Sequence, residues 1–171
     1  MNRVALVRPP MPSDGFHGSL TDELSALGVP VVEISPRGGA LDALLRPRKL
    51  GDHLGRVPGT LLALRRSGCS VAHTFLPADG VAAAAWAARE DARAVLTICS
   101  VPRREALAGR RLRLATLLRA IEGSAAVVAT SPEVRDGLDR WLNVSSTVIP
   151  CEPAASAAAA YARLYERVGR P

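Results

Sequence analysis

The chain has 171 residues, 48% of them hydrophobic and 22% charged, a balance that excludes a disordered segment and suits one domain with a buried core, residues 1–171. Its formal charge of +6 turns attention to anionic partners, although Lys49 is the only lysine and an arginine- and alanine-rich codon usage accounts for the same excess. The three cysteines, Cys69, Cys99 and Cys151, are widely spaced and contain no C-x-x-C pair, so neither a disulfide framework nor a metal site is expected.

The apolar pattern is read best as alternating strands and helices. "VALV" (4–7) is a short continuous apolar run, the form taken by a parallel strand covered on both faces. The apolar run at the N-terminus is too short for a signal peptide. After "VALV" comes "RPPMPSDGFHGSL", a long loop ending at a helix whose Leu20, Leu24 and Leu27 share one face and which Gly28 stops. "PVVEIS" (30–35) is the second strand. Residues 36–59 mix Gly, Pro and Arg, including the isolated His53, and read as a loop with short helical pieces.

"VAHTF" (71–75), "AVLTI" (94–98), "AAVVAT" (125–130) and "STVIP" (146–150) continue the strand series. "VAAAAWAA" is too short to span a membrane. Leu107, Leu114, Leu118 and Ile121 define one face of a helix that Gly123 ends. "TSPEVRDGLDRWL" opens another, with Pro132 in its first turn behind an oxygen-bearing cap. The last helix begins near Ala154 and carries Tyr161, Leu164 and Val168 on one stripe. The expectation is an α/β doubly wound sheet of about six parallel strands.

Open parallel sheets bind ligands at the carboxyl ends of their strands, here just after Val7, Phe75, Ile98 and Thr130. Gly15 and His17 stand in the first such loop, His73 in the third strand, Cys99 and Ser100 after the fourth, and Ser131 after the fifth. Glycines before a helix let backbone N–H groups approach a phosphate, and the helix dipole favours the charge; the same glycines also serve an ordinary turn. His73 reads equally as a packed, hydrogen-bonded strand residue. There is no G-x-S-x-G and no Walker A sequence, and no catalytic residue or cofactor is assigned.

One charge cluster stands out. Residues 103–119 hold Arg103, Arg104, Arg110, Arg111, Arg113 and Arg119 against a single acid, Glu105. A basic helix of this kind suits an anionic lipid surface or a protein partner, and also an ordinary solvated face. Without interleaved aromatics it does not suggest nucleic acid. A cytoplasmic protein is expected, peripheral to the inner face of the membrane where this helix engages lipid.

In order and spacing, "VALVRPPMPSDGFHGSLTDELSALGVPVVEIS", "SVAHTFLPADGVAAAAWAARE", "AVLTICSVPRREALAGRRLRLATLLRAIEGSAAVVATSPEVRDGLDRWL" and "STVIP" resemble the N-terminal, Rossmann-like half of a GT-B glycosyltransferase of the retaining family-4 kind. The resemblance implies an acceptor-side domain, with Gly15 and His17 at the family's first loop and His73 at the first histidine of its third-strand V-V-H-A-H motif. Phe75 replaces the second histidine of that motif. Cys99 stands where the family's fourth strand delivers a sugar-contacting histidine, and Ser100 where Gly or Asp follows. Cys151, Glu152 and Pro153 replace the family's Asn-Gly-Val-Asp after "VIP".

By the same resemblance the final helix stands for the one that returns from the second domain to pack on the first, and the donor-binding domain with its paired glutamates (E-x7-E) is absent. Two function classes follow: half of a split transferase, active only with a separate donor-binding subunit, or a non-catalytic binding or regulatory module. A single-domain enzyme acting on a nucleotide sugar or phosphosugar is a third.

Overall fold

The computed structural model describes residues 2–10, 15–36, 54–100 and 111–169. Six strands form one parallel sheet: β1 (Val4–Val7), β2 (Val31–Ile34), β3 (Val71–Thr74), β4 (Arg93–Ile98), β5 (Ala126–Ala129) and β6 (Thr147–Val148). Their spatial order is β2-β1-β3-β4-β5-β6, all neighbours parallel. The doubly wound sheet expected from the apolar runs is therefore present, and it is an α/β Rossmann-like fold.

Among the described residues six α-helices connect and cover these strands: α1 (Phe16–Ala26), α2 (Val57–Ser67), α3 (Pro77–Glu90), α4 (Arg111–Glu122), α5 (Pro132–Leu142) and α6 (Ala154–Val168). Because side chains alternate across a strand, the strands feed two cores. Val4, Leu6, Val71, Val95 and Val128 face α1 and α6, meeting Leu20, Leu24, Ala158, Tyr161 and Tyr165. Their sequence neighbours Ala5, Val7, Ala72 and Ala94 face α2 and α3, where Leu64 and Trp86 fill the layer. Leu96, Ile98 and Ala129 pack under α4 and α5. Scarce aromatics force close helix approach. At Gly80 of α3, an added Cβ would lie 2.9 Å from the Ala120 Cβ of α4 and 3.3 Å from Leu96 Cδ1, so only glycine lets these helices meet at this depth.

The structure differs from the sequence reading at two edges. Residues 36–59 were read as loop with helical pieces, yet a 3-10 turn (Leu54–Arg56) runs straight into α2 at Val57. Pro58 explains the difference: in a first turn its missing N–H costs no hydrogen bond. The sixth strand, expected over 146–150, is in the ladder only at Thr147 and Val148. Residues 37–53, with His53, and 101–110, with Leu107, Arg103, Arg104 and Arg110, lie outside the described residues.

Candidate functional site: the carboxyl edge at the strand-order reversal

The strand order reverses between β1 and β3, and in open parallel sheets the ligand crevice lies at this point, at the carboxyl ends of the two strands. His17 of α1 and Phe75, just past β3, close over this point, their ring centroids 4.3 Å apart and edge to face. Gly15 caps α1 from the left-handed region (φ 76°), and no side chain caps the helix. Among the described residues nothing lies within 4 Å of where a Gly15 or Gly18 Cβ would be. The first turn of α1 therefore presents backbone donors and the positive end of a dipole that no described side chain caps, with no acidic residue in that turn.

His17 is 93% buried by its 7% exposure, and its Nδ1 has no hydrogen-bond partner among the described residues. Burial lowers its pKa first, the nearby Arg8 charge second, and Glu33 pulls it partly back. Arg8 itself is held at the exit of β1 by an ion pair to Glu33 (3.2 Å), whose other oxygen accepts from Thr21 of α1 (2.7 Å). The result is a neutral imidazole and a cation beside an uncapped helix start, an arrangement suited to an oxyanion.

His73 has a different position. It is completely buried on the α6 side of β3. Its Nδ1 lies 2.6 Å from the Tyr165 hydroxyl and its Nε2 2.7 Å from Thr97 Oγ1, which is itself 3.0 Å from the Tyr161 hydroxyl. Both ring nitrogens are thus engaged inside the protein. Burial, with a smaller push from His17, lowers the His73 pKa to about 3, so the ring is neutral at physiological pH. Burial likewise raises both tyrosine hydroxyls. The packed, hydrogen-bonded alternative describes the geometry of His73, and its function in the fold is to fasten α6 to the centre of the sheet.

Cys99 and Ser100 are exposed just past β4. Burial around the Cys99 sulfur, then proximity to Cys151, raises its pKa to about 11. Cys151 is raised for the same first reason, with Glu152 adding to it. Both thiols are therefore protonated and weakly nucleophilic at pH 7. Ser131 caps α5, accepting from the Val134 N–H at 3.3 Å. Gly15, His17 and the Phe75 ring share the crevice; Cys99, Ser100 and Ser131 line the same edge under β4 and β5; His73 sits below it. Among the described residues no group of three His, Cys, Asp or Glu is placed to hold a metal.

Sequence reasoning missed the buried ion pair beneath the crevice. Arg56 and Asp79 are 4% and 0% exposed. The guanidinium reaches Asp79 at 3.1–3.3 Å, the Arg8 carbonyl at 2.8 Å and the Pro36 carbonyl at 3.3 Å, while Thr60 donates to Asp79 at 2.7 Å. It ties together the exits of β1 and β2 and the start of α3. The available signal was Asp79 itself, the only charge between Leu76 and Ala88 of an alanine-rich helix, which needs a buried partner.

The Glycosyltransferase Family 4 model matches residues 18–151. No curated protein sequence matches. Among solved structures, the fold is similar to a unit described as sucrose-phosphate synthase 27_220_406_426 from Thermosynechococcus elongatus, with a TM-score of 0.70 and 19% identity over 98% of this chain and 99% of that one. It is also similar to the sucrose-phosphate synthase of the same organism, with a TM-score of 0.63 and 17% identity over 88% of this chain. The match spans 48% of that second chain, about half its length.

Proposed function

Because the chain belongs to glycosyltransferase family 4 and has the fold of a GT-B N-terminal domain, we propose that it is the acceptor-side half of a transferase completed by a separate donor-binding chain. The observation that carries this reading is the join between β6 and α6. Only Ile149–Pro153 separate them, and α6 is nonetheless seated on the sheet through Tyr161 and Tyr165. The similar unit bears two residue ranges, 27–220 and 406–426, which supports reading α6 as the counterpart of a helix that arrives from a distant segment. Here that helix is reached in five residues, with no intervening domain.

Glycosyl transfer needs donor and acceptor held in a closed, water-poor cleft with the leaving diphosphate stabilised. The carboxyl edge supplies one wall: the α1 start with Gly15 and His17, the Cys99–Ser100 corner and the Ser131 cap. The purified chain is expected to transfer no sugar from UDP- or GDP-sugars by itself, and to transfer it once combined with a donor-binding chain co-purified from its source. Turnover by the chain alone would overturn this reading.

Two observations favour the non-catalytic alternative. His73, at a histidine position of the family motif, is consumed inside the fold, and Cys99 is a protonated thiol where the family places a histidine. Under that reading the edge still binds UDP or a phosphosugar, but no added chain restores transfer.

The reading extends to α4. Arg111 and Arg119 are exposed on it, Arg113 is half-buried, and Arg103, Arg104 and Arg110 lie outside the described residues. Among the described residues no helix is long and apolar enough to cross a membrane. Contact with an anionic membrane is peripheral, at about 1 kcal/mol per arginine and screened by salt. Replacing Arg110, Arg111 and Arg113 by Gln should weaken co-sedimentation with phosphatidylglycerol vesicles more than replacing Arg46, Arg65 and Arg170. Equal losses would reduce the effect to net charge.

A further inference from the structure

We propose that the amino-terminal edge of the sheet, opposite the crevice, carries a second binding site, for a small organic anion held by Arg167 and Ser146. β5 pairs with β4 from Ala126 onward, but with β6 only from Val128, which faces Thr147. At Ala126 and Val127 the chain that should lie alongside, Val144 to Ser146, has swung away. The space between them is a cleft of about 650 Å³. That volume is in the ordinary range of small-molecule sites.

Its walls divide by chemistry. Ile121 of α4 with Leu164 and Val168 of α6 make an apolar side; Ser145, Ser146 and Arg167 make a polar one. Among the described residues no carboxylate lines the cleft. Arg167 is exposed and makes no ion pair with any described residue. Its place in the last turn of α6 accounts for a cation there, since helix carbonyl ends favour positive charge. It does not account for Ser146, whose Oγ is buried without a hydrogen-bond partner among the described residues. A buried hydroxyl left unpaired is costly and rare. A bound oxyanion satisfies both groups: the guanidinium donates in a fork and the hydroxyl donates beside it, while a short hydrocarbon body lies against Ile121, Leu164 and Val168. The ligand class is a carboxylate or phosphate monoester with a few apolar carbons. This site does not rest on the transferase reading, because it uses none of the residues of the carboxyl edge.

The test is an NMR titration of the full chain with hexanoate, hexyl phosphate and inorganic phosphate. At least one organic probe should give saturable shifts centred on Ser145, Ser146, Arg167 and Val168, and bind at least tenfold more tightly than inorganic phosphate. Arg167→Gln and Ser146→Ala should each weaken it about tenfold, whereas Arg163→Gln, which removes an exposed arginine from the same helix, should not. Three results would overturn the proposal: no saturable shifts at the cleft with either organic probe, equal affinity for inorganic phosphate, or an Arg163→Gln loss as large as that of Arg167→Gln. Which organic probe binds tighter separates a carboxylate from a phosphate source.

Discussion

The His73 imidazole and the Tyr165 hydroxyl meet at 2.6 Å across 92 residues of chain, joining the middle of the sheet to the last helix. Thr97 and Tyr161 extend the contact, so β3, β4 and α6 share one buried hydrogen-bonded chain. Every polar atom in it depends on another. Tyr165→Phe removes one hydroxyl and leaves His73 Nδ1 unpaired in the core, which should cost about 1–3 kcal/mol. Urea unfolding followed by circular dichroism checks this; an unchanged midpoint would mean that the bond contributes nothing net.

The same histidine makes stability depend on pH. In the unfolded chain His73 takes up a proton as pH falls through its ordinary 6.5, but in the fold it resists protonation down to about 3. Its contribution is therefore intact above pH 6.5 and is lost progressively between pH 6.5 and about 3. Between pH 6.5 and 5 the loss should be about 2 kcal/mol. His17 acts in the same direction. The informative measurement is thus the difference in urea midpoint between the native chain and His73→Gln across pH 7 to 5. That difference should shrink as pH falls, and a constant difference would mean that His73 is not held neutral.

Much of this was legible beforehand, because parallel strands buried on both faces leave continuous apolar runs. Val4–Val7 and Ala126–Ala129 could be placed from their residues alone, and Ser131 with Pro132 marked the start of α5. What the sequence did not disclose were relations between distant residues. Tyr161 read as one more apolar stripe residue and Tyr165 was not singled out, since nothing local says that two hydroxyls four residues apart will face a histidine. Arg56 lay inside a segment without periodicity, and its partner is 23 residues away. Of the candidate ligand residues, the loop glycine and His17 could be located from the rule that sites follow strand ends. That rule cannot tell a side chain reaching the edge from one, like His73, sitting one layer below it.

Arg56 and Asp79 give the largest expected single effect. Removing one partner of a buried pair leaves an uncompensated charge, typically at a cost of about 3–5 kcal/mol. Asp79→Ala strands the Arg56 guanidinium and also frees Thr60, so it should fall at the upper end. The double variant Arg56→Met with Asp79→Leu should recover part of the loss, because no charge remains buried, although the Arg8 and Pro36 carbonyls lose their donor. Thermal unfolding of the three variants checks the order; a double variant as unstable as Asp79→Ala would show that the carbonyl clamp outweighs the buried charge.

Gly15 tests the carboxyl edge more selectively. Its φ of 76° lies where a β-carbon is strained, yet no atom of the described residues lies within 4 Å of that carbon's position. Gly15→Ala therefore acts through the backbone, costing about 1 kcal/mol if the conformation is kept. If the chain instead relaxes to negative φ, the first N–H groups of α1 turn away from the crevice and the fold is spared. These alternatives separate experimentally. A variant of lowered stability with unchanged binding of UDP has kept the turn. One of unchanged stability, with UDP shifts at Phe16, His17 and Gly18 reduced severalfold, has lost the donors. The second pattern is expected, because an exposed turn relaxes more cheaply than it stores strain. It would tie phosphate affinity to the direction of the α1 amides rather than to any side chain. Undiminished UDP shifts in a variant of unchanged stability would place the phosphate elsewhere on the edge, at the Ser131 cap or the Cys99–Ser100 corner.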